Sequence, residues 1–129
     1  MMGAMSAKVD LDQLADALTD FAFAYLITVG DDYRAHTVAV DVALTEGEFR
    51  VSSIGNSTRR NLASHPAATL VWPPREPGGY TLIVDGRGDV TDEALMLTPD
   101  RAVLHRPATP GVPTASGCGD DCVPLDTQV

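Results

Sequence analysis

Between residues 21 and 105 the hydrophobic positions recur mostly with a period of two, in short runs separated by Gly, Pro, Asn and Asp. Phe21-Ala-Phe-Ala-Tyr-Leu-Ile-Thr-Val29 is rich in aromatic and β-branched residues, which predicts a strand, and Gly30-Asp-Asp-Tyr33 predicts the turn that follows. His36 to Leu44 alternates, with Val38, Val40 and Val42 on one face and Thr37, Ala39 and Asp41 on the other. Glu46-Gly47 supplies a hairpin turn, and Phe49 to Ser53 returns along it. Ala68-Thr-Leu-Val-Trp72 is nearly continuous apolar sequence, as a buried strand is. The loop 73–79 is too rich in Pro and Gly to be a strand interior. Tyr80 to Asp85 is the next strand, with Gly86 and Gly88 marking a bulge or bend. Pro99 argues against one long helix over Ala94 to His105, so this stretch reads as two short extended pieces, Arg101 to His105 being a strand.

Two stretches break the period. From Asp10 to Asp20, apolar residues at 11, 14, 15 and 18 have the spacing of an amphipathic helix that packs and carries no chemistry. Asp10 can cap it, and Asp12 suits its N-terminal dipole. The other is a short helix ahead of His65-Pro66. About six strands at turn-punctuated intervals favour an antiparallel barrel over a βαβ fold, with an open α+β sandwich as the alternative.

The length of 129 residues makes one domain. Residues 1–8 read as a disordered or cloning-derived start, 9–107 as the folded domain, and 108–129 as a Pro/Gly-rich tail carrying Cys118 and Cys122. No window reaches ~18 uninterrupted apolar residues and the start has no secretory pattern, so no membrane partner is expected and the cytoplasm is favoured. The net charge of −9 repels nucleic acid at long range. An anionic ligand therefore needs a local basic pocket, and Arg59-Arg60 is the single adjacent basic pair.

That pair sits in the most chemically loaded stretch, Val51 to Pro66. Ser52, Ser53, Asn56, Ser57 and Thr58 crowd a loop, Gly55 is free to take φ > 0, and the arginines follow at once. Asn56 or Ser57 suits the N-cap, which would aim the first-turn N–H groups into the space the hydroxyls share. Such a helix start suits a phosphate or carboxylate. A capped helix with solvated arginines is the plainer alternative.

The order of these pieces resembles the flavin-binding split-barrel family, which includes pyridoxamine-phosphate oxidase-like proteins and the actinobacterial flavin or deazaflavin oxidoreductases. The matching residues are His36-Thr-Val-Ala-Val40, the loop with Arg60-Asn61-Leu62, His65-Pro66 before a strand, and Tyr80 to Val90 with Asp85-Gly-Arg-Gly88. The resemblance implies a mainly β fold, a six-stranded antiparallel split β-barrel with one or two short flanking helices, assembled as a homodimer. It implies FMN as cofactor, or alternatively the 8-hydroxy-5-deazaflavin F-420, bound between subunits. The residues it points to are His36, Thr37, Val38 and Ala39 along the ring, with Ser53, Asn56, Ser57, Thr58, Arg59 and Arg60 at the phosphate. The family commonly has a lysine where this chain has Thr58, which shifts the phosphate contact to Arg59 or Arg60. Trp72, the only tryptophan, either covers the ring or fills the core.

Two classes of function follow. One is an oxidoreductase that moves hydride or electrons to or from a small organic molecule, with the cofactor supplying the chemistry. No side chain stands out as acid or base, so no catalytic residue is assigned. The other is a non-catalytic flavin- or haem-binding protein on the same fold. Cys118-Gly-Asp-Asp-Cys122 is too small a set for a disulfide scaffold or a four-ligand zinc site, and no metal is expected. It reads as two free thiols or a reversible disulfide; a redox sensor built on the barrel is a third reading.

Overall fold

The computed structural model describes residues 7–107 and 120–121. The tail residues Cys118 and Cys122 lie outside them. The antiparallel sheet follows the path β3-β2-β6-β7-β8-β5-β4, with two further short strands, β1 and β9, on β8. In chain order the strands are β1 (Ala7–Val9), β2 (Ala24–Val29), β3 (Ala35–Val40), β4 (Val42–Thr45), β5 (Glu48–Ser52), β6 (Ala67–Trp72), β7 (Thr81–Val90), β8 (Ala94–Pro107) and β9 (Asp120–Asp121). The helices are α1 (Leu14–Leu18), preceded by a 3-10 turn at Leu11–Gln13, and α2 (Asn56–Ser64).

The two ends of that path, β3 and β4, are consecutive in the chain and separated by Asp41 alone. One residue spans under about 7 Å between its neighbours. The sheet must therefore curl until its two edge strands come together at Asp41 without pairing, and it becomes a mainly β split barrel. The single alternating strand expected from 36 to 44 is interrupted at Asp41, its first half pairing with β2 and its second with β5. This division gives seven strands on the path where six were expected. The expected alternation survives it: Val38, Val40 and Val42 are half-buried, whereas Thr37, Ala39 and Asp41 are exposed.

β7 and β8 form the longest pairing, and its register shifts between Asp85 and Gly86. Asp85 opposes Arg101 and Gly86 opposes Pro99, so Asp100 is the extra residue of a bulge. Pro99, which has no N–H for a ladder bond, sits at this irregularity. The stretch expected as two extended pieces is thus one strand of 14 residues with a kink. A Cβ at Gly86 would lie 2.3 Å from the Thr98 carbonyl oxygen, so the close approach of the two backbones requires glycine.

The barrel interior is filled by Leu26, Phe49, Val51, Leu70, Leu82, Val84, Leu95 and Leu97, all fully buried. Each such side chain contributes roughly 1.5–3 kcal/mol of transfer free energy. Asp10 caps the 3-10 turn by accepting from the Asp12 N–H at 3.1 Å. α1 buries Leu14 and Ala17 with Leu18 beside them, while Leu11 and Ala15, expected on the packed face, are exposed. The 3-10 opening rotates Leu11 off the helical stripe. No helix among the described residues is long and apolar enough to cross a membrane.

Candidate functional site

β5 places the polar loop. Val51 opposes Val42, which brings Ser52 to the Asp41 junction where β3 ends. The chain leaves through Ser53, held at φ 61°, and enters α2. The N-cap is Gly55, in extended backbone (φ −88°, ψ 178°) and without a side-chain cap. Asn56 and Ser57, expected as caps, are instead the first helical residues, because the Gly55 carbonyl already accepts from the Arg59 N–H at 3.1 Å. An uncapped start leaves first-turn N–H groups for an outside acceptor.

The two arginines have different neighbours. Arg59 donates from Nη1 to the Thr91 carbonyl at 2.8 Å and from Nη2 to the Asp92 carbonyl at 3.0 Å. It ties α2 to the turn between β7 and β8. Arg60 is exposed, reaches the Ser57 hydroxyl with Nη2 at 3.4 Å, and lines a polar cavity of about 320 Å³ with Gly30, Asp31, Asp32 and Asn61. Thr58 is 1% exposed and faces the core.

The other end of α2 is tied to the turn between β2 and β3. Asn61 Nδ2 donates to the buried Thr28 hydroxyl at 3.1 Å, and His65 Nε2 lies 3.5 Å from Asp31 Oδ1. The Tyr33 ring, on a residue at φ 62°, is 5.8 Å from the His65 ring. Arg34 lies 3.8 Å from Asp32. Asp31 and Asp32 thus have neighbours of their own in His65 and Arg34, and Arg60 lines the cavity beside them.

Among the described residues β3 is an edge strand, bonded to β2 and to no other strand. Its remaining backbone N–H and C=O groups are open to a ligand. His36 and Val38 share the inner face with Thr28 and Leu26, to which they are paired; Thr37 and Ala39 point outward and are exposed. His36 Nδ1 is buried and has no hydrogen-bond partner among the described residues. A buried polar nitrogen left in this state costs about 1–3 kcal/mol, and a ligand acceptor or donor would relieve that cost.

Of the residues read from the sequence, Ser53, Asn56, Ser57, Arg60 and the strand 36–39 lie along one free edge and one helix start. Thr58 and Arg59 are engaged elsewhere. Trp72 is 5% exposed and packs on Phe49 at a ring separation of 5.3 Å, so it occupies the core. It sits at the far end of β6 from α2. Asn61, Thr28 and Asp31 were missed. Asn61 was visible in the Arg-Asn-Leu motif, whereas Thr28 and Asp31 gain their place only from the β2–β3 turn. Among the described residues no group of three or more His, Cys, Asp or Glu could hold a metal ion.

No protein-family model matches the sequence. An uncharacterized protein of Mycobacterium bovis and one of Mycobacterium tuberculosis are each 48% identical over 133 residues, covering 90% of this chain and 94% of the relative. Among solved structures, a candidate pyridoxamine 5′-phosphate oxidase of Listeria innocua superposes with a TM-score of 0.63 at 11% identity, covering 73% of this chain and 96% of its own. An F-420 reductase gives 0.57 at 16% identity, with 67% and 94% covered. A FAD-binding protein of Mesorhizobium loti gives 0.59 at 12% identity, with 78% and 98% covered. The haem storage protein HutZ of Vibrio cholerae gives 0.53 at 14% identity, with 72% and 93% covered.

Proposed function

We infer that this chain, which belongs to one family with the two mycobacterial proteins and has the fold of the flavin-binding split barrels, binds a phosphorylated flavin or deazaflavin. The observation that carries the reading is the uncapped start of α2 beside Ser57 and Arg60, entered from β5 close to the Asp41 junction where the edge strand β3 ends. The residues fit such a group. The first-turn N–H groups, the Ser57 hydroxyl and the Arg60 guanidinium would hold the phosphate. The open backbone of β3 and the unpartnered His36 Nδ1 would meet polar atoms of a planar ring. Arg59 would hold α2 against the β7–β8 turn so that this start keeps its place.

The bound cofactor supplies hydride or electron transfer, with a small organic molecule as its partner. The protein binds, orients and shields; no side chain of the site is assigned a proton. A homodimer with the cofactor between subunits completes the reading, since β3 on an edge offers one wall of a slot and leaves the second wall to another surface. A carrier that holds flavin or haem without turnover is the second reading, and the fold of the haem storage protein supports it.

The test is an absorption spectrum of the freshly purified protein, then titration with FMN, riboflavin, F-420 and haem. Tighter binding of FMN or F-420 than of riboflavin supports the phosphate site. Binding of haem alone selects the carrier, and binding of none of the four removes the reading.

A further inference from the structure

A second cavity, of about 370 Å³, lies at the other end of the barrel, between α1, the loop 73–79 and the last part of β8. Its volume falls toward the lower end of the roughly 300–1,000 Å³ of ligand sites, which suits a small ring system. It is remote from the α2 start. The cavity includes Tyr80, immediately before β7, whereas Arg59 is bonded to Thr91, immediately after it. Ten strand residues separate the two, a path of about 30 Å.

The walls are apolar and aromatic: Phe21, Tyr80, Leu104, Ala17 and Pro74. Three charged residues complete the lining, Arg75, Asp20 and Glu76, and Arg75 is the one cation among them. Arg75 donates from Nε to the Asp20 carbonyl and from Nη2 to the Phe21 carbonyl, each at 3.1 Å. These two bonds fix the plane of the guanidinium. Among the described residues no carboxylate lies within 4.0 Å of Arg75, so its charge is held in position without a counter-ion. Tyr80 is held in the wall with the Arg106 guanidinium 4.4 Å from the centre of its ring. The loop that presents Arg75 is stiff. It contains three prolines, and the Gly79 N–H closes a turn onto the Glu76 carbonyl at 3.1 Å with Gly78 at φ 85°. A stiff loop lowers the ordering cost of binding.

We propose that this cavity is a small-molecule site for an aromatic monocarboxylic acid, with the ring between Phe21, Tyr80 and Leu104 and the carboxylate on Arg75. A fixed, unneutralised guanidinium in an apolar pocket selects a carboxylate over a neutral ring. The exposed carboxylates of Asp20 and Glu76 in the same lining disfavour a second negative charge on the ligand. The site is separate from the one assigned to the cofactor, so either can stand without the other.

The test uses the full chain with 2-naphthoate and, as its neutral counterpart, 2-naphthylmethanol, read by backbone amide shifts and by affinity. Naphthoate is expected to move the amides of Ala17, Phe21, Gly79 and Tyr80, with no competition from saturating FMN. Arg75→Met, which keeps the stem and removes the charge, should weaken naphthoate about tenfold or more and naphthylmethanol less than about twofold. Ala17→Leu should weaken both by filling the cavity. The amide map of the unaltered protein decides the matter should that variant not fold. Shifts confined to α2 and β3, displacement by FMN, equal weakening of both ligands by Arg75→Met, or no shift at millimolar naphthoate would each overturn the proposal.

Discussion

Arg59 and Arg60 are adjacent in sequence, but on a helix consecutive residues point about 100° apart. That angle gives them different work. Arg59 meets the carbonyls of Thr91 and Asp92, whereas Arg60 lies near Ser57 and the polar cavity. Arg60→Ala is therefore expected to weaken FMN on the order of tenfold to a hundredfold, the loss of one charge-assisted contact, with riboflavin nearly unaffected. Arg59→Ala should instead lower stability by about 1 kcal/mol, because two partly exposed bonds to a turn are lost. Its effect on FMN and riboflavin should be equal. Parallel titrations with the two ligands, together with thermal melting, distinguish the variants. A phosphate-specific loss in Arg59→Ala and none in Arg60→Ala would reverse the assignment.

The element that concentrates the chemistry is α2, and its start can be tested as an anion site directly. Gly55 gives the helix no side-chain cap. Gly55→Asp would place a carboxylate where the first-turn N–H groups point, which stabilises a helix N-terminus by about 0.5 kcal/mol through capping and the dipole. The same carboxylate would occupy and repel a phosphate. The expected result is a melting temperature raised by about 2 °C with FMN affinity reduced at least about tenfold. Higher stability with unchanged FMN affinity would mean that the helix start is only a helix start. The bulge between β7 and β8 offers a second test at this scale. Gly86→Ala puts a methyl group 2.3 Å from the Thr98 oxygen and 2.7 Å from Leu97 Cδ2. Overpacking of this kind costs about 1–3 kcal/mol, to be read by denaturant unfolding, and a cost near zero would remove the argument for glycine there.

Element by element, what the sequence revealed depended on how local its cause was. The alternation of residues 36 to 44, the hairpin at Glu46-Gly47 and the bulge near Gly86 rest on side-chain periodicity and glycine, and all three are present. Pro99 was misleading, because a proline at a bulge leaves a strand unbroken and its sequence signal is the same as that of a break. The division at Asp41 was invisible. It arises from the change of partner from β2 to β5, a fact about closure of the sheet. In the site, the polar loop was legible from its composition. The turn partners of Arg59 and the core position of Trp72 depend on contacts distant in sequence, so composition could not supply them.

At the scale of the whole molecule, the outer face of the sheet raises the question of what covers it. Tyr25, Val71 and Ile83 pair in register across β2, β6 and β7 and so form one apolar row on the outside of the barrel, ending at Val103 of β8, which is already buried. Phe23 stacks edge-on against Tyr25 at 5.3 Å, and the two rings remain 44% and 38% exposed. The next row toward α2 is different: Thr69 and Arg101 both bond Asp85, so polar groups bound the apolar strip. An apolar strip with a polar border is the usual appearance of a protein interface. A second copy of the chain would be the occupant that also provides a second wall for the ligand proposed on the β3 edge. Light scattering at micromolar concentration should therefore give twice the chain mass of 13.6 kDa. Replacing Phe23 and Tyr25 together by Glu should give a folded monomer, since both rings are already exposed and like charges would face one another across a two-fold axis. If the cofactor lies between subunits, FMN binding should weaken in that monomer although neither residue belongs to the helix start. A dimer that survives the double substitution would place the interface on another face, and a monomeric unaltered protein would end the shared-site reading.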